Sequence, residues 1–432
     1  MKKALAISGI LLAVMFSAGA QTGTWSGELD VRGTPLPLVF RLEEENPTMD
    51  SPAQGAMGIP VEVERSATGA VTIRIPSIGA AYAGQWLAKQ IVGTFSQSGA
   101  SLPLTLVPGE KRPNRPQTPA GPFPYAQEAV SFSNADADLK GTLTLPQGWN
   151  RQTPVLIMVT GSGQQNRDEE IFGHRPFAVI ADAFARAGIA TLRYDDRGFG
   201  ESTGEVDRCT TEDLKNDALA GIGLLRERFG KVGVLGHSEG GSIALMLAAE
   251  GQADFIVCLA GAVVSNAETM LWQNRQTLTA AGLPEAAVDA YCTLLSEAFG
   301  ACISGSAMPA ADETAVPDML KQNYRAAVVQ LQTPYMRHFL AMDMRPLLGG
   351  ITCPVLALNG SKDRQVEPES NLGALRAGLP ATPGNRIETV EGLNHLFQHC
   401  DTGAVREYGR IEETFAPEVL EMMTDWILAL LR

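Results

Sequence analysis

The sequence predicts an α/β protein: a mostly parallel sheet with helices on both faces, broken by a helical cap and preceded by a small all-β domain. Three observations carry this. From Ala126 onward, apolar strand-like runs alternate with helical stretches, the pattern of a sheet covered on both sides. Residues 22 to about 108 instead alternate at period two between Gly, Pro and Asn breaks. After the strand Phe255–Leu259, roughly ninety residues pass before the next strand, far more than an ordinary connection needs. A chain of 432 residues has room for two or three such units.

The N-terminus reads as an export signal. Met1-Lys2-Lys3 is a basic start, Ala4 through Phe16 is apolar, and Ala18-Gly19-Ala20 is a small-residue cleavage site. The apolar run is too short and wrongly flanked to span a membrane, and no cysteine follows the cleavage site to carry a lipid. No later run reads as long and apolar enough to cross a bilayer. With residues 1–20 removed, the mature chain is expected to begin near Gln21, to be periplasmic or secreted, and to have no stable membrane anchor.

Residues 21–108 form the expected all-β domain. Trp25–Val31, Leu36–Leu42, Val61–Glu64, Val71–Ile75, Gly93–Gln97 and Leu102–Leu106 are its strands, and a sandwich or partly closed barrel fits them. Trp25, Trp86 and Phe95 are expected in its core. Residues 109–125 are proline-rich without periodicity and read as a semi-rigid linker. The domain from 126 to 432 opens with Ala129–Phe132 and Leu139–Leu145 as an antiparallel pair. Its cap, about 264–349, has helical spacing in Glu268–Thr279 and Ala311–Leu340. Met270, Leu271, Trp272 and Tyr335 suit a lid lining an acyl pocket.

The pentapeptide Gly236-His237-Ser238-Glu239-Gly240 lies between a short apolar strand, Lys231–Leu235, and a helix, Gly241–Ala249. A strand, a sharp turn and a helix are what a G-x-S-x-G nucleophile elbow requires, with the serine hydroxyl at the tip. A serine is a poor nucleophile at neutral pH and needs a base and a group to orient that base. In chain order an acid and then a histidine should follow, each beyond a strand. Of five histidines, His174 precedes the elbow, His237 is inside it and His338 is in the cap. His395 follows the strand Arg386–Thr389 directly and is preferred to His399. Asp363, just beyond Cys353–Gly360, is the acid, with Glu367 and Glu369 as weaker rivals. The oxyanion hole is expected from the backbone N–H of Glu239 and that of Ser162, or alternatively Gly163, in the loop after Pro154–Thr160.

Together with Thr160-Gly161-Ser162-Gly163, Arg167-Asp168, Asp363 and Gly392-Leu393-Asn394-His395, the run Arg193-Tyr194-Asp195-Asp196-Arg197-Gly198-Phe199-Gly200-Glu201-Ser202 resembles the α/β-hydrolase superfamily. Within it the chain is similar to bacterial secreted esterases of the EstD type, over roughly residues 126–432. The resemblance implies an α/β-hydrolase fold and a carboxylic ester hydrolase acting on short acyl chains. Thr160-Gly161 stands where many relatives have His-Gly, so the oxyanion assignment rests on backbone position. Asp195, Asp196 and Arg197 are expected to brace the loop beside the nucleophile.

Two other readings stay open: a serine peptidase of the same fold, with Glu239 or Glu268 holding a peptide N-terminus, and a non-catalytic binding protein. A net charge of −14 disfavours nucleic acid and anionic membranes as partners and says little about the substrate, for which the resemblance implies a small-molecule ester. No C-x-x-C and no Cys/His cluster points to a metal, and no cofactor is expected. Six cysteines in an exported chain permit disulfides. Cys292–Cys302 is the possible local bridge, Cys209 and Cys400 the remaining pair, and Cys258 and Cys353 are expected as buried thiols.

Overall fold

The computed structural model describes residues 22–430 apart from 32–33, 44, 52–55, 67, 88, 98, 111–113 and 312–315. The expected export signal, residues 1–20, lies outside the described residues. The chain divides into two compact units: residues up to 113 together with Ile171–Gly173, and Asn114–Glu170 together with His174–Arg432.

The first unit holds nine strands: β1 (Thr24–Val31), β2 (Thr34–Arg41), β3 (Thr48–Ser51), β4 (Ala56–Pro60), β5 (Glu62–Arg65), β6 (Ala70–Ile75), β7 (Ala80–Leu87), β8 (Gln90–Gln97) and β9 (Ala100–Pro108). They form one antiparallel sheet in the order β4-β3-β2-β1-β9-β8-β7-β6-β5. The two edge strands, β4 and β5, are consecutive in the chain with only Val61 between them, so the sheet must roll up on itself. Of the two expected forms, this is the partly closed barrel. Along β6, Val71, Ile73 and Ile75 point inward while Thr72 and Arg74 point out, the period-two pattern read from sequence. Trp25 and Trp86 meet edge to face at 4.9 Å in the interior, and Phe95 is buried with them.

The second unit holds an eight-stranded sheet: β10 (Ala126–Asn134), β11 (Ala137–Leu145), β12 (Val155–Val159), β13 (Ala190–Tyr194), β14 (Val232–His237), β15 (Ile256–Leu259), β16 (Val355–Gly360) and β17 (Arg386–Val390). The order is β10-β11-β13-β12-β14-β15-β16-β17. It is a mixed sheet: β10 and β11 pair antiparallel, as does β11 with β13, and the other five neighbouring pairs are parallel. Its helices are α1 (Pro176–Arg186), α2 (Thr211–Arg228), α3 (Glu239–Ala249), α4 (Asn266–Ala280), α5 (Glu285–Ser304), α6 (Asp318–Leu331), α7 (Pro334–Ala341), α8 (Pro368–Gly378), α9 (Val405–Tyr408) and α10 (Pro417–Ala429).

Central strands buried on both faces need apolar residues at every position, and successive residues divide between two cores. In β12, Val155, Ile157 and Val159 join one cluster with α2, α3 and α8, while Leu156 and Met158 join the other with α1 and α10. β15 and β16 split the same way. The cap α4–α7 has its own core, built on Leu294, Leu295, Ala298 and Phe299 of α5.

Three expectations change. The helix α5 adds to the expected cap helices: Tyr291, Leu294, Leu295, Ala298 and Phe299 are buried at helical spacing, opposite exposed Asp289, Thr293, Glu297 and Gly300. Among the described residues it is also the one helix long and apolar enough to cross a membrane, against the reading that no such run follows the signal. No disulfide forms: all six cysteines are free thiols. Cys292 and Cys302 both lie on α5, and ten residues of helix separate them by about 15 Å, beyond the reach of a disulfide. Finally, much of the proline-rich segment is anchored. Arg115 donates to the carbonyls of Ile411 (2.8 Å) and Gly409 (3.0 Å), and Gln117 bonds across Thr414 and Phe415.

Candidate active site

The nucleophile candidate, the acid and the histidine all follow the C-terminal ends of parallel strands, where such sheets place their chemistry. β14 ends at His237 and α3 begins at Glu239, so Ser238 alone makes the turn, at φ 54° and ψ −118°. Positive φ strains a residue with a Cβ, and only surrounding structure can hold it there. The Ser238 N–H donates to Leu259 O at 2.8 Å, and its carbonyl accepts from Gly241 N at 2.9 Å. Both flanking glycines are required by close approach. A Cβ on Gly236 would lie 1.9 Å from Gly240 O, and one on Gly240 would lie 2.1 Å from Val159 O. Ser238 is half-buried while its neighbours on both sides are buried.

Asp363 lies three residues past β16. Its Oδ1 accepts from the amides of Gln365 (2.7 Å) and Val366 (3.0 Å), and its Oδ2 faces His395 Nδ1 at 2.8 Å. One oxygen is thus held by backbone and the other is presented to the imidazole. With Nδ1 donating to Oδ2, a neutral ring leaves Nε2 as the acceptor, the tautomer a general base needs. Both side chains are buried. The rivals sit elsewhere: Glu367 and Glu369 are at the start of α8, and His399 is exposed, paired with Glu413 and Glu418.

The loop after β12 packs against the elbow, since a Cβ on Gly161 would lie 3.2 Å from that of Ser238. Gly161 N is committed to Glu169 Oε1 at 2.8 Å. Among the described residues, the amides of Ser162, Gly163 and Glu239 donate to no protein acceptor, so all three candidate oxyanion donors are unspent. Buried carboxyls brace the loop. Asp196 accepts from Thr160 Oγ1 and Gln165 N, both at 2.8 Å, and burial pushes its pKa up to about 8. Asp195 accepts from the amide and guanidinium of Arg167, which outweigh burial and hold it below the usual carboxylate range. Arg197 forks onto Asp217 at 2.7 and 2.6 Å.

Sequence reasoning missed two features. Glu239 contributes its side chain as well as its amide: Thr211 Oγ1 donates to one carboxylate oxygen at 2.6 Å, and the Tyr335 hydroxyl of α7 to the other at 2.5 Å. The cap therefore touches the elbow through α7. It touches the acid loop through α4, where Gln276 accepts from Arg364 at 2.8 Å. The second feature is the pair Glu169–His237, at 2.9 Å. A histidine placed between the glycine and serine of a tight elbow was the available signal for it.

A family model, Serine aminopeptidase, S33, matches residues 175–399, and the chain belongs to that family. It is accordingly a member of the α/β-hydrolase superfamily, as the strand order and the elbow indicate. Over 143 residues it is 34% identical to Esterase EstD of Thermotoga maritima, a stretch that is 32% of this chain and 34% of that one. The match thus spans about a third of the relative's length. Among solved structures, a Pyrococcus furiosus esterase superposes with a TM-score of 0.48 at 16% identity, over 75% of this chain and 100% of its own. Est1E of Butyrivibrio proteoclasticus does so with a TM-score of 0.42 at 17% identity, over 70% and 98%.

Proposed function

We propose that this chain is an exported serine hydrolase that cleaves carboxylic esters of small molecules, short acyl groups being the expected preference. The observation that carries the reading is the buried 2.8 Å pair of Asp363 and His395 in a fold that holds Ser238 at a strained elbow. In the first half-reaction His395 Nε2 takes the Ser238 proton as Oγ attacks the ester carbonyl. The amides of Glu239 and of Ser162 (or Gly163) hold the resulting oxyanion. His395 then gives its proton to the departing alcohol, leaving an acyl-enzyme. Water repeats the sequence, with His395 as base, and releases the acid. Asp363 keeps its carboxylate and stabilises the imidazolium in both halves.

The family makes amide cleavage at a peptide N-terminus the second reading. It needs a carboxylate open to an α-ammonium. Glu239 is committed to Thr211 and Tyr335, and Glu268 pairs with Arg345 at 3.4 Å on the surface, which favours the ester reading. Hydrolysis of p-nitrophenyl acetate and butyrate, compared with an alanyl p-nitroanilide, separates the two. Ser238→Ala should abolish ester hydrolysis and fluorophosphonate labelling with the fold intact; full activity in that variant would sink the assignment. Export belongs to the same proposal, and the N-terminus of the periplasmic protein should be found near Gln21.

A further inference from the structure

We propose that the Glu169–His237 pair is a positioning device that locks the oxyanion loop to the histidine loop through the elbow. The proposal rests on the reading of Ser238, His395 and Asp363 given above. Glu169 Oε1 accepts both from Gly161 N at 2.8 Å and from His237 Nδ1 at 2.9 Å. His237 Nε2 lies 2.9 Å from the backbone carbonyl of His395. A carbonyl oxygen only accepts, so Nε2 carries a proton, and the carboxylate draws a second onto Nδ1. Burial alone would strip that charge, but Glu169 outweighs it and raises the pKa of His237. Both side chains are buried, so the ring and carboxylate spend their hydrogen bonds within the protein.

What the pair joins gives it meaning. Gly161 immediately precedes Ser162, whose amide is a proposed oxyanion donor. His237 immediately precedes Ser238. His395 is the proposed base itself, and its ring centroid lies 4.8 Å from that of His237. The three segments come from positions far apart in the chain, after β12, β14 and β17. The β12–β14 ladder aligns the first two segments as far as Val159 and Gly236, but β17 lies three strands beyond β14, so no ladder joins the histidine loop to either of them. Glu169 Oε1 and both ring nitrogens of His237 are committed to Gly161 N, to the His395 carbonyl and to each other, so neither side chain is assigned a proton transfer to substrate. Misplacing reacting groups by about 1 Å costs on the order of a hundredfold in rate. A positioning role therefore predicts a loss in kcat with little change in KM.

The test compares Glu169→Ala, Glu169→Gln and His237→Gln in the full chain, with near-ultraviolet circular dichroism to establish folding and p-nitrophenyl butyrate as substrate. Glu169→Ala should lower kcat roughly 10- to 100-fold with KM within about threefold. Glu169→Gln can keep an oxygen for Gly161 N, but without the charge it no longer holds the proton on His237 Nδ1 at that same oxygen, so its kcat should fall between those of Glu169→Ala and wild type. His237→Gln should behave like Glu169→Ala, and supplies the answer if that variant fails to fold. A folded Glu169→Ala or His237→Gln with wild-type kcat overturns the proposal, as does a change confined to KM. Failure of the parent reading looks different: the wild-type chain itself would not label with a fluorophosphonate, or Ser238→Ala would stay active.

Discussion

The two units bury polar groups in contrasting ways. In the barrel, the buried polar residues among those described are Ser26, Asp50 and Ser51, and the Tyr82 hydroxyl lies 2.9 Å from Ile91 O, serving backbone. In the second unit, Glu169, Asp195, Asp196, Asp217, Glu239 and Asp363 are buried, with His174, His237 and His395. Burying a carboxylate is costly unless it is paired or hydrogen-bonded. A fold that buries six of them near one edge of its sheet uses them to hold a geometry. The barrel carries no comparable cluster among its described residues, and its interior is that of a structural element.

The largest expected effect sharpens this contrast from the hydrolase side. Asp363→Asn keeps the shape of the side chain but removes the charge that fixes the His395 tautomer. We expect kcat for ester hydrolysis to fall by about 10⁴-fold with the melting transition nearly unchanged. The matching change in the barrel is Trp25→Ala, which empties an interior position beside Trp86. It should cost about 3–5 kcal/mol in urea unfolding of the first unit while kcat stays at the wild-type value. A fall in kcat there, with the chain still folded, would place the barrel in the substrate site and break the comparison.

The next effect is on stability against pH, and it sets two buried groups of the second unit against each other. His174 bonds Thr414 Oγ1 and Tyr408 O, and burial, helped by the charge of Arg115, lowers its pKa from 6.5 to about 4. Between those values the unfolded chain takes up a proton that the folded chain refuses. Stability should therefore fall as pH drops from 6.5 to 4, by up to about 3 kcal/mol. Asp196 has the opposite sign: burial raises its pKa from 3.8 to about 8, so the unfolded chain gives up a proton that the folded one keeps. Its contribution is lost as pH rises across that range. The two slopes oppose each other below pH 6.5, and only that of Asp196 persists above it. Urea midpoints of wild type and Asp196→Asn should diverge in favour of the variant from pH 6.5 to 8. A constant difference would mean that folded Asp196 is already ionised.

Local features of the candidate site were legible because each rests on residues adjacent in sequence. The elbow needs Gly236 and Gly240 around Ser238, Asp363 follows an apolar strand, and His395 follows the alternating strand Arg386–Val390, each by a few residues. The antiparallel start was legible as a hairpin, but the sheet is mixed where a mostly parallel one was expected, because β11 also pairs antiparallel with β13. What escaped is long-range. Nothing near Glu169, in the acidic run Asp168-Glu169-Glu170, distinguishes the carboxylate that meets His237 from its neighbours. Tyr335 reaches Glu239 from a cap helix 96 positions later, a contact no pattern within either segment encodes. The helix α5 is the exception, a local pattern that was overlooked: Asp289, Thr293, Glu297 and Gly300 make an exposed stripe opposite buried Tyr291, Leu294, Leu295 and Ala298. The segment from Asn114 escaped because proline content reports stiffness and says nothing of what Arg115 and Gln117 reach.

The smallest expected effect is the most direct comparison of the units, because each holds a tyrosine whose ring is packed and whose hydroxyl is bonded. Tyr82 sits in the barrel with its oxygen 2.9 Å from Ile91 O and 3.2 Å from Leu104 O. Tyr335 stacks on Phe339 with centroids 5.6 Å apart, and its hydroxyl reaches Glu239 at 2.5 Å. Replacing either by phenylalanine removes one oxygen and preserves the ring. In the barrel the loss removes one buried hydrogen bond and should cost about 1–2 kcal/mol of stability, with kcat/KM unaltered. In the cap, the loss frees one oxygen of a carboxylate whose own backbone N–H is a proposed oxyanion donor. It also cuts a tie between α7 and the elbow. We expect Tyr335→Phe to lower kcat/KM by roughly 3- to 10-fold while stability changes by less than in Tyr82→Phe. If Tyr335→Phe lost stability alone, the cap would be only packed against the site. If Tyr82→Phe changed kcat/KM, the barrel's buried polar groups would serve the reaction as well as the fold.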